Sequence, residues 1–412
     1  MQLPAMRRVR QKFPTEHISD IEGEVRLRLR EAGLERRIQP GMKIAITASS
    51  RGTQGTDRIL RAVVAEVRAS GGEPFLVPAM GSHGGATPEG QRNVLAAEGI
   101  TEESIGAPIR ATMETVYLGT APTGAEAHFD KNAYEADGTI VLSTVKLHPQ
   151  LRDDIGSGLC KMTAIGLGKQ RGAASIHFHG LHDSLLGVAE ITLAKANIIL
   201  GLASVMNAYR QPYCIEAVPP QKFYEADCRL LEVARKLHPH IPYNALDVLV
   251  IDWMGKNITG AGMDPNVIGW WRLHEGPREP NYRRIVTLDL TPESLGNAVG
   301  VGLADFITAR LDKKIDWNAT LINVLTSGEP DLRPNASFRP FVLPSDREAI
   351  EMGLRSVGVS NPRVVRIKAT NALEEFRISE TLLAETQADP RLEVLSEPEP
   401  WPFDNEGNLT DL

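Results

Sequence analysis

The sequence predicts an α/β protein: two α/β domains with mainly parallel sheets and an active-site cleft between them. Three observations carry this reading. Short apolar runs alternate with amphipathic stretches from residue 42 onward, the pattern of parallel strands joined by crossover helices. The alternation breaks once and then restarts. The length of 412 residues suits two to three domains at roughly 150 residues each.

Taken in order, Lys43 to Thr47 is a strand candidate, and Asp57 to Ala69 follows as a helix with Ile59, Val63, Val64 and Val67 on one face. Pro74 to Pro78 is the next strand. A glycine-rich loop then leads to a helix opening at Thr87-Pro88-Glu89, where threonine suits the N-cap and proline the first turn. Gly138 to Val145 is a buried strand. Pro- and Tyr-rich sequence from Tyr209 to Pro220 interrupts the pattern, and a polar helix runs from Gln221 to Lys236. The second series comprises strands at Leu246 to Ile251, Ile285 to Leu290 and Pro362 to Ile367, with a helix opening at Thr291-Pro292-Glu293. The expected domains are 1–236 and 246–412. Residues 237–245, with two prolines and no periodicity, form the linker.

Composition excludes several classes. The net charge of −7 opposes a general affinity for nucleic acid or anionic membrane. Apolar residues at 42% supply a core and exclude wholesale disorder. Cys160, Cys214 and Cys228 have no paired-motif spacing, which fits a reducing cytoplasm. The best membrane candidate, Ile198 to Met206, is too short to span a bilayer. The basic opening from Met6 to Lys12 lacks an apolar segment behind it and is expected to be a solvated arm.

Chemical groups concentrate on loops after strands, where parallel α/β folds bind ligands. Thr47-Ala48-Ser49-Ser50-Arg51-Gly52 faces a helix start and suits a carboxylate or phosphate. Met80 to Ala86 carries His83 between glycines that leave its imidazole open. Lys146-Leu147-His148-Pro149 ends the strand at 138–145. The densest stretch holds Ser157, Gly158, Cys160 and Lys161, then Gly166, Gly168, Lys169, Arg171 and Gly172, then His177, His179, His182 and Asp183. Its glycines match neither common nucleotide fingerprint, although Lys169 and Arg171 offer charge to a phosphate. Its histidines resemble metal ligands but exceed one site. In the second domain, Gly255 to Asn266 is a long polar loop whose one cation is Lys256, placed as a lid or half-site.

The ordered set Arg51, His83 in Gly-Ser-His-Gly-Gly, His148, Ser157-Gly158-x-x-Lys161, and a histidine 16 positions after that lysine resembles the nickel-pincer lactate racemase family. The resemblance implies a racemase or epimerase, an isomerase acting at C2 of a 2-hydroxy acid by reversible hydride transfer. It implies a pyridinium-derived nickel-pincer nucleotide as cofactor, supplied by cofactor-maturation enzymes. His83 and His148 match the acid/base pair, and Arg51 a substrate-binding arginine. Lys161 matches the lysine that tethers the cofactor, with Ser157, Gly158 and Lys169 beside it in the cofactor site. His177 matches the nickel ligand, with His179 as competitor, and Lys256 matches a second-domain lysine that contacts substrate. Ala48 stands where founding members carry aspartate, and no proline follows Lys161; these departures suggest a divergent branch and leave the covalent tether and lactate itself open. Two other readings stand beside this one: a zinc or iron hydrolase or lyase built on His177, His179 and His182, and a non-catalytic module binding a phosphorylated metabolite through Lys169 and Arg171.

Overall fold

The computed structural model describes residues 3–50, 54–151, 154–274, 276–326 and 338–412. The fold is α/β with mainly parallel sheets, divided into two units: one within residues 14–238, the other formed by residues 3–13 and the described residues from 239 onward. Residues 3–13 therefore lie with the second unit and not with the N-terminal domain of residues 1–236 that the sequence suggested. They contribute β1 (Met6–Gln11), which pairs antiparallel with two strands of the other unit. Met6, Val9 and Gln11 are buried. The arginines between them are ion-pair partners rather than a solvated arm, with Arg7 2.8 Å from Glu380 and Arg10 2.8 Å from Glu375. Opposite charges facing each other across strands stabilise the pairing.

The unit at 14–238 is built on β2 (Lys43–Ala48), β3 (Glu73–Pro78), β6 (Gly138–Thr144), β7 (Ile198–Met206) and β8 (Pro212–Val218). Their order is β3-β2-β6-β7-β8, parallel except for β8, which runs antiparallel to β7. The Pro/Tyr-rich interruption expected at 209–220 thus contains a strand. Proline at its start and an edge position reconcile it with a sheet. A separate hairpin joins β4 (Thr115–Thr120) and β5 (Glu126–Asp130). Alternation along the strands sends Ile44, Ile46, Ile140 and Leu142 to one face, where α1 (Ile21–Glu31), α2 (Thr56–Ala69) and α3 (Pro88–Ala97) cover them. Ala45, Phe75, Val77 and Val141 face α4 (Lys169–Phe178), α5 (Leu181–Lys195) and α6 (Phe223–Leu237).

The other unit holds an eight-stranded sheet ordered β12-β11-β10-β9-β13-β14-β1-β15. Its parallel part is β9 (Ala245–Met254), β10 (Asn281–Leu290), β11 (Phe306–Thr308), β12 (Phe341–Leu343) and β13 (Val364–Ala369). β14 (Ala372–Ser379), β1 and β15 (Leu392–Val394) extend it antiparallel. The helix expected to open at Thr291 is only a short 3-10 turn, Pro292–Ser294. It stops because Leu295 turns left-handed at φ +48°. Among the described residues, no helix is long and apolar enough to cross a membrane.

Candidate active site

In the strand order β3-β2-β6, the chain leaves β2 toward β3 on one side and returns to β6 on the other. Such a switch point opens a crevice at the carboxyl ends of the strands. There a pocket is lined by Thr47, Ser49, Thr56, Ser143, Thr144 and Ser204. Three candidate loops leave the sheet at the same end: the one after β2, the His83 loop after β3 and the His148 loop after β6. Arg51, expected on the first of these, lies outside the described residues.

His83 is exposed, and its Nδ1 lies 2.5 Å from Ser50 Oγ. Gly84 in this loop sits at φ +66°, and a Cβ there would fall 2.5 Å from the Gly90 carbonyl carbon. The close approach of α3 therefore requires glycine. Thr87 caps α3 by accepting from Gly90 N at 3.0 Å, as its sequence suggested. The backbone of the loop is bonded on both sides: Gly81 N donates to Gly166 O at 3.3 Å, and Gln91 Nε2 donates to Gly81 O at 2.9 Å and His83 O at 3.3 Å.

His148 is buried, and its Nδ1 accepts from Gln150 N at 3.2 Å. An Nδ1 that accepts leaves the proton of the neutral ring on Nε2. The loop closes through a two-way backbone bridge, Lys146 N to Ser157 O at 3.0 Å and Ser157 N to Lys146 O at 2.9 Å.

Lys161 is half-buried in a helical segment beginning at Leu159. A π-helical turn, Met162–Gly166, follows directly; such turns widen a helix and recur at functional sites. His177 lies half-buried near the end of α4. His179 sits at that helix's C-cap, where its Nδ1 donates to Ser175 O at 3.0 Å. Its ring packs over the hairpin turn at Gly124. His182 is exposed, 3.8 Å from Asp183. Among the described residues no group of three or more His, Cys, Asp or Glu gathers to hold a metal. The 177–182 histidines therefore do not assemble the site that a hydrolase reading requires.

The expected phosphate groups are largely taken by the protein itself. Lys169 is fully buried, with Nζ 2.7 Å from Pro78 O, 2.7 Å from Gln91 Oε1 and 3.3 Å from Asp130 Oδ2. It is a core cation, not a ligand-facing one, and this also removes the main support for a phosphate-binding module. Arg171, on the same helix, remains exposed. Leu159 N and Cys160 N both donate to Asp227 at 2.8 Å, so a buried carboxylate already caps that helix start. The missing side chain of Gly158 makes room for the same group, since a Cβ would lie 2.4 Å from Asp227 Oδ1. Ser157 spends its backbone on the Lys146 bridge. Lys256 belongs to the other unit, where its Nζ donates to Gly260 O and Asn323 Oδ1, each at 2.7 Å.

Residues 8–184 match the family model of the lactate racemase N-terminal domain. Within its span fall His83, His148, Lys161 and His177, together with Arg51; Lys256 falls outside it. The chain is similar to a solved lactate racemase apoprotein from Thermoanaerobacterium thermosaccharolyticum, with a TM-score of 0.46 and 11% identity, over 95% of this chain and 93% of that one. Among curated proteins none matches the chain. Sequence reasoning missed Ser50 as the partner of the His83 ring, and missed Gln91, Asp130 and Asp227 entirely. Their partners are distant in the chain, so local patterning carries no signal of them.

Proposed function

We propose that this protein is a racemase or epimerase that inverts C2 of a 2-hydroxy acid, with His83 and His148 exchanging protons on opposite sides of the substrate. The carrying observation is the strand order β3-β2-β6, which sets the two histidine loops on either side of β2. Neighbouring strands lie about 4.8 Å apart, so the loops start roughly 10 Å from one another, enough for a small carboxylate between them. The lactate racemase N-terminal domain supports the same class of reaction.

The resting hydrogen bonds make the two imidazoles unlike. His83 bonds a serine hydroxyl, which donates or accepts. Its ring can carry the proton on Nδ1 and leave Nε2 as a base for the substrate hydroxyl. His148 accepts a backbone N–H on Nδ1, so its neutral ring presents Nε2–H, suited to donating toward the opposite oxygen. Release of the Gln150 contact frees Nδ1 to take a proton, giving the imidazolium whose Nε2 proton can pass to the substrate oxygen and leave a neutral ring. The carboxylate is assigned to Arg51, because a guanidinium holds it bidentate while C2 inverts.

The residues present fit the metal end of a nickel-pincer nucleotide. Such a group would ask the protein for one nitrogen ligand, which His177 offers, with Lys161 on a separate helical segment earlier in the chain. When bound, it supplies a reversible hydride acceptor, the part of the chemistry that side chains lack. Its phosphate is assigned to Arg171 rather than Lys169. Lys256 is left out, since its ammonium is engaged within its own unit.

The test is metal analysis of protein produced with the cofactor-maturation enzymes and nickel, followed by a screen of 2-hydroxy acids for loss of optical activity. About one nickel per chain and racemisation of at least one acid are expected. Zinc or no metal, under conditions that load a known lactate racemase, overturns the reading.

A further inference from the structure

Beneath the His83 loop lies a chain of polar side chains with no access to solvent. Asp130, Lys169 and Gln91 are each fully buried. An ammonium has three protons and accepts nothing. Lys169 faces three oxygens: Pro78 O, Gln91 Oε1 and Asp130 Oδ2. Burial pushes the Asp130 carboxyl up and the Lys169 amine down from their ordinary values. The Asp130 carboxylate 3.3 Å away opposes that pressure on Lys169, and Pro78 O and Gln91 Oε1 each accept a hydrogen bond from the same nitrogen. Lys169 adopts φ +55°, a left-handed conformation that a non-glycine residue keeps only when its surroundings enforce it.

The charge on Lys169 decides how Gln91 is oriented. A donor-only group selects the amide oxygen, so the NH2 of Gln91 must point the other way. Its two protons go to Gly81 O at 2.9 Å and His83 O at 3.3 Å. Three carbonyls of the segment 78–83 are thus bonded to one buried ion pair and its amide extension. That segment and the two residues after it carry three glycines with left-handed backbone, Gly81, Gly84 and Gly85, which by themselves leave the loop poorly ordered. Burying a charge pair is costly, and here the cost falls beneath a loop that presents an exposed imidazole.

We propose that Lys169 and Gln91 are positioning residues for His83, clamping the backbone of its loop so that the ring is delivered to Ser50 and to substrate in one geometry. This rests on the assignment of His83 as an acid/base group, and the test separates the two. Gln91→Glu keeps an acceptor for Lys169 but cannot donate to Gly81 O and His83 O. Gln91→Met loses both contacts. Because Lys169→Ala alone strands Asp130, the pair is removed together as Lys169→Met with Asp130→Leu.

Two readouts need no activity and are made on the protein without cofactor: amide hydrogen exchange of residues 79–86, and the rate at which diethylpyrocarbonate modifies His83. Both are expected to rise roughly tenfold in Gln91→Glu, the worth of one or two lost hydrogen bonds, with exchange in β6 and β7 unchanged. In nickel-loaded protein, kcat is expected to fall by about the same factor, with KM within twofold and a shifted basic limb of the pH–rate profile. Unchanged exchange and unchanged His83 modification in folded Gln91→Glu overturn the clamp. A loosened loop with wild-type kcat overturns its role in positioning. A wild-type protein without racemisation overturns the functional reading while the exchange data still decide the clamp.

Discussion

His83 stands exposed on a glycine loop whose backbone is bonded to buried side chains, whereas His148 is nearly buried on a loop closed by its own backbone bridge. The ring partners differ too: a serine hydroxyl for His83 and a local N–H for His148. A hydroxyl reverses its polarity by rotation, while a backbone N–H does not. One fold thus supplies one imidazole that changes tautomer in place and another that must move to do so. In the proposed reaction both directions run through the same pair, so the comparison predicts that the slower proton exchange belongs to His148.

The largest expected effect comes from deleting either ring. His83→Ala and His148→Ala should each lower racemisation by about 10²–10⁴-fold, the usual share of a general acid/base. Chiral chromatography from each pure enantiomer checks this, and retention of full activity by both variants sinks the two-base mechanism.

The ion pair under His83 is sharpened by setting it against one in the other unit. There Arg366 is shared by two carboxylates, Asp252 at 2.7 Å and Asp411 at 2.9 Å. Burial pushes Asp252 up to about 6, with Arg366 lowering it and Asp411 raising it. A carboxyl raised in the folded state stabilises the fold fully below its unfolded value near 4, and that contribution is lost as pH rises through about 6. The stability of wild type relative to Asp252→Asn should therefore fall between pH 4 and pH 7, by at most about 3 kcal/mol for a shift of this size. Denaturant titrations at several pH values decide it; a constant difference means that Asp252 does not titrate in this window.

The smallest expected effect is at Ser50. Ser50→Ala removes one neutral hydrogen bond, worth about 1 kcal/mol, and should slow racemisation by several-fold. The loss should be accompanied by a change in the His83 tautomer ratio seen in nitrogen-15 spectra, with His148 signals unaffected. Equal disturbance of both histidines would erase the distinction between them.

The parts legible from sequence are those whose cause is local. β2, β3 and β6 announce themselves as apolar runs, α2 by its spacing of Ile59, Val63 and Val67, and α3 by the Thr87 cap. The histidine loops follow, because residues after parallel strands all emerge at one end of a sheet. The misreadings share a cause of the opposite kind. Met6 to Lys12 is basic by composition, but its partners Glu380, Glu375 and Glu393 lie more than 300 residues away. Lys169 sits among glycines as a phosphate ligand would, yet it is buried against Asp130 and donates to Gln91 Oε1 and Pro78 O. Gly158 is glycine because of Asp227, a residue on a helix that reads from sequence as merely polar.

The sequence by itself determined the fold class, the elements around the crevice and which side chains stand on its loops, since periodicity, capping and turn chemistry act over a few residues. Tertiary structure alone decided which of those side chains face a ligand and which hold the molecule together. A buried lysine and an exposed one have the same neighbours in sequence; only packing removes one from water, and once removed it must spend its charge on the protein.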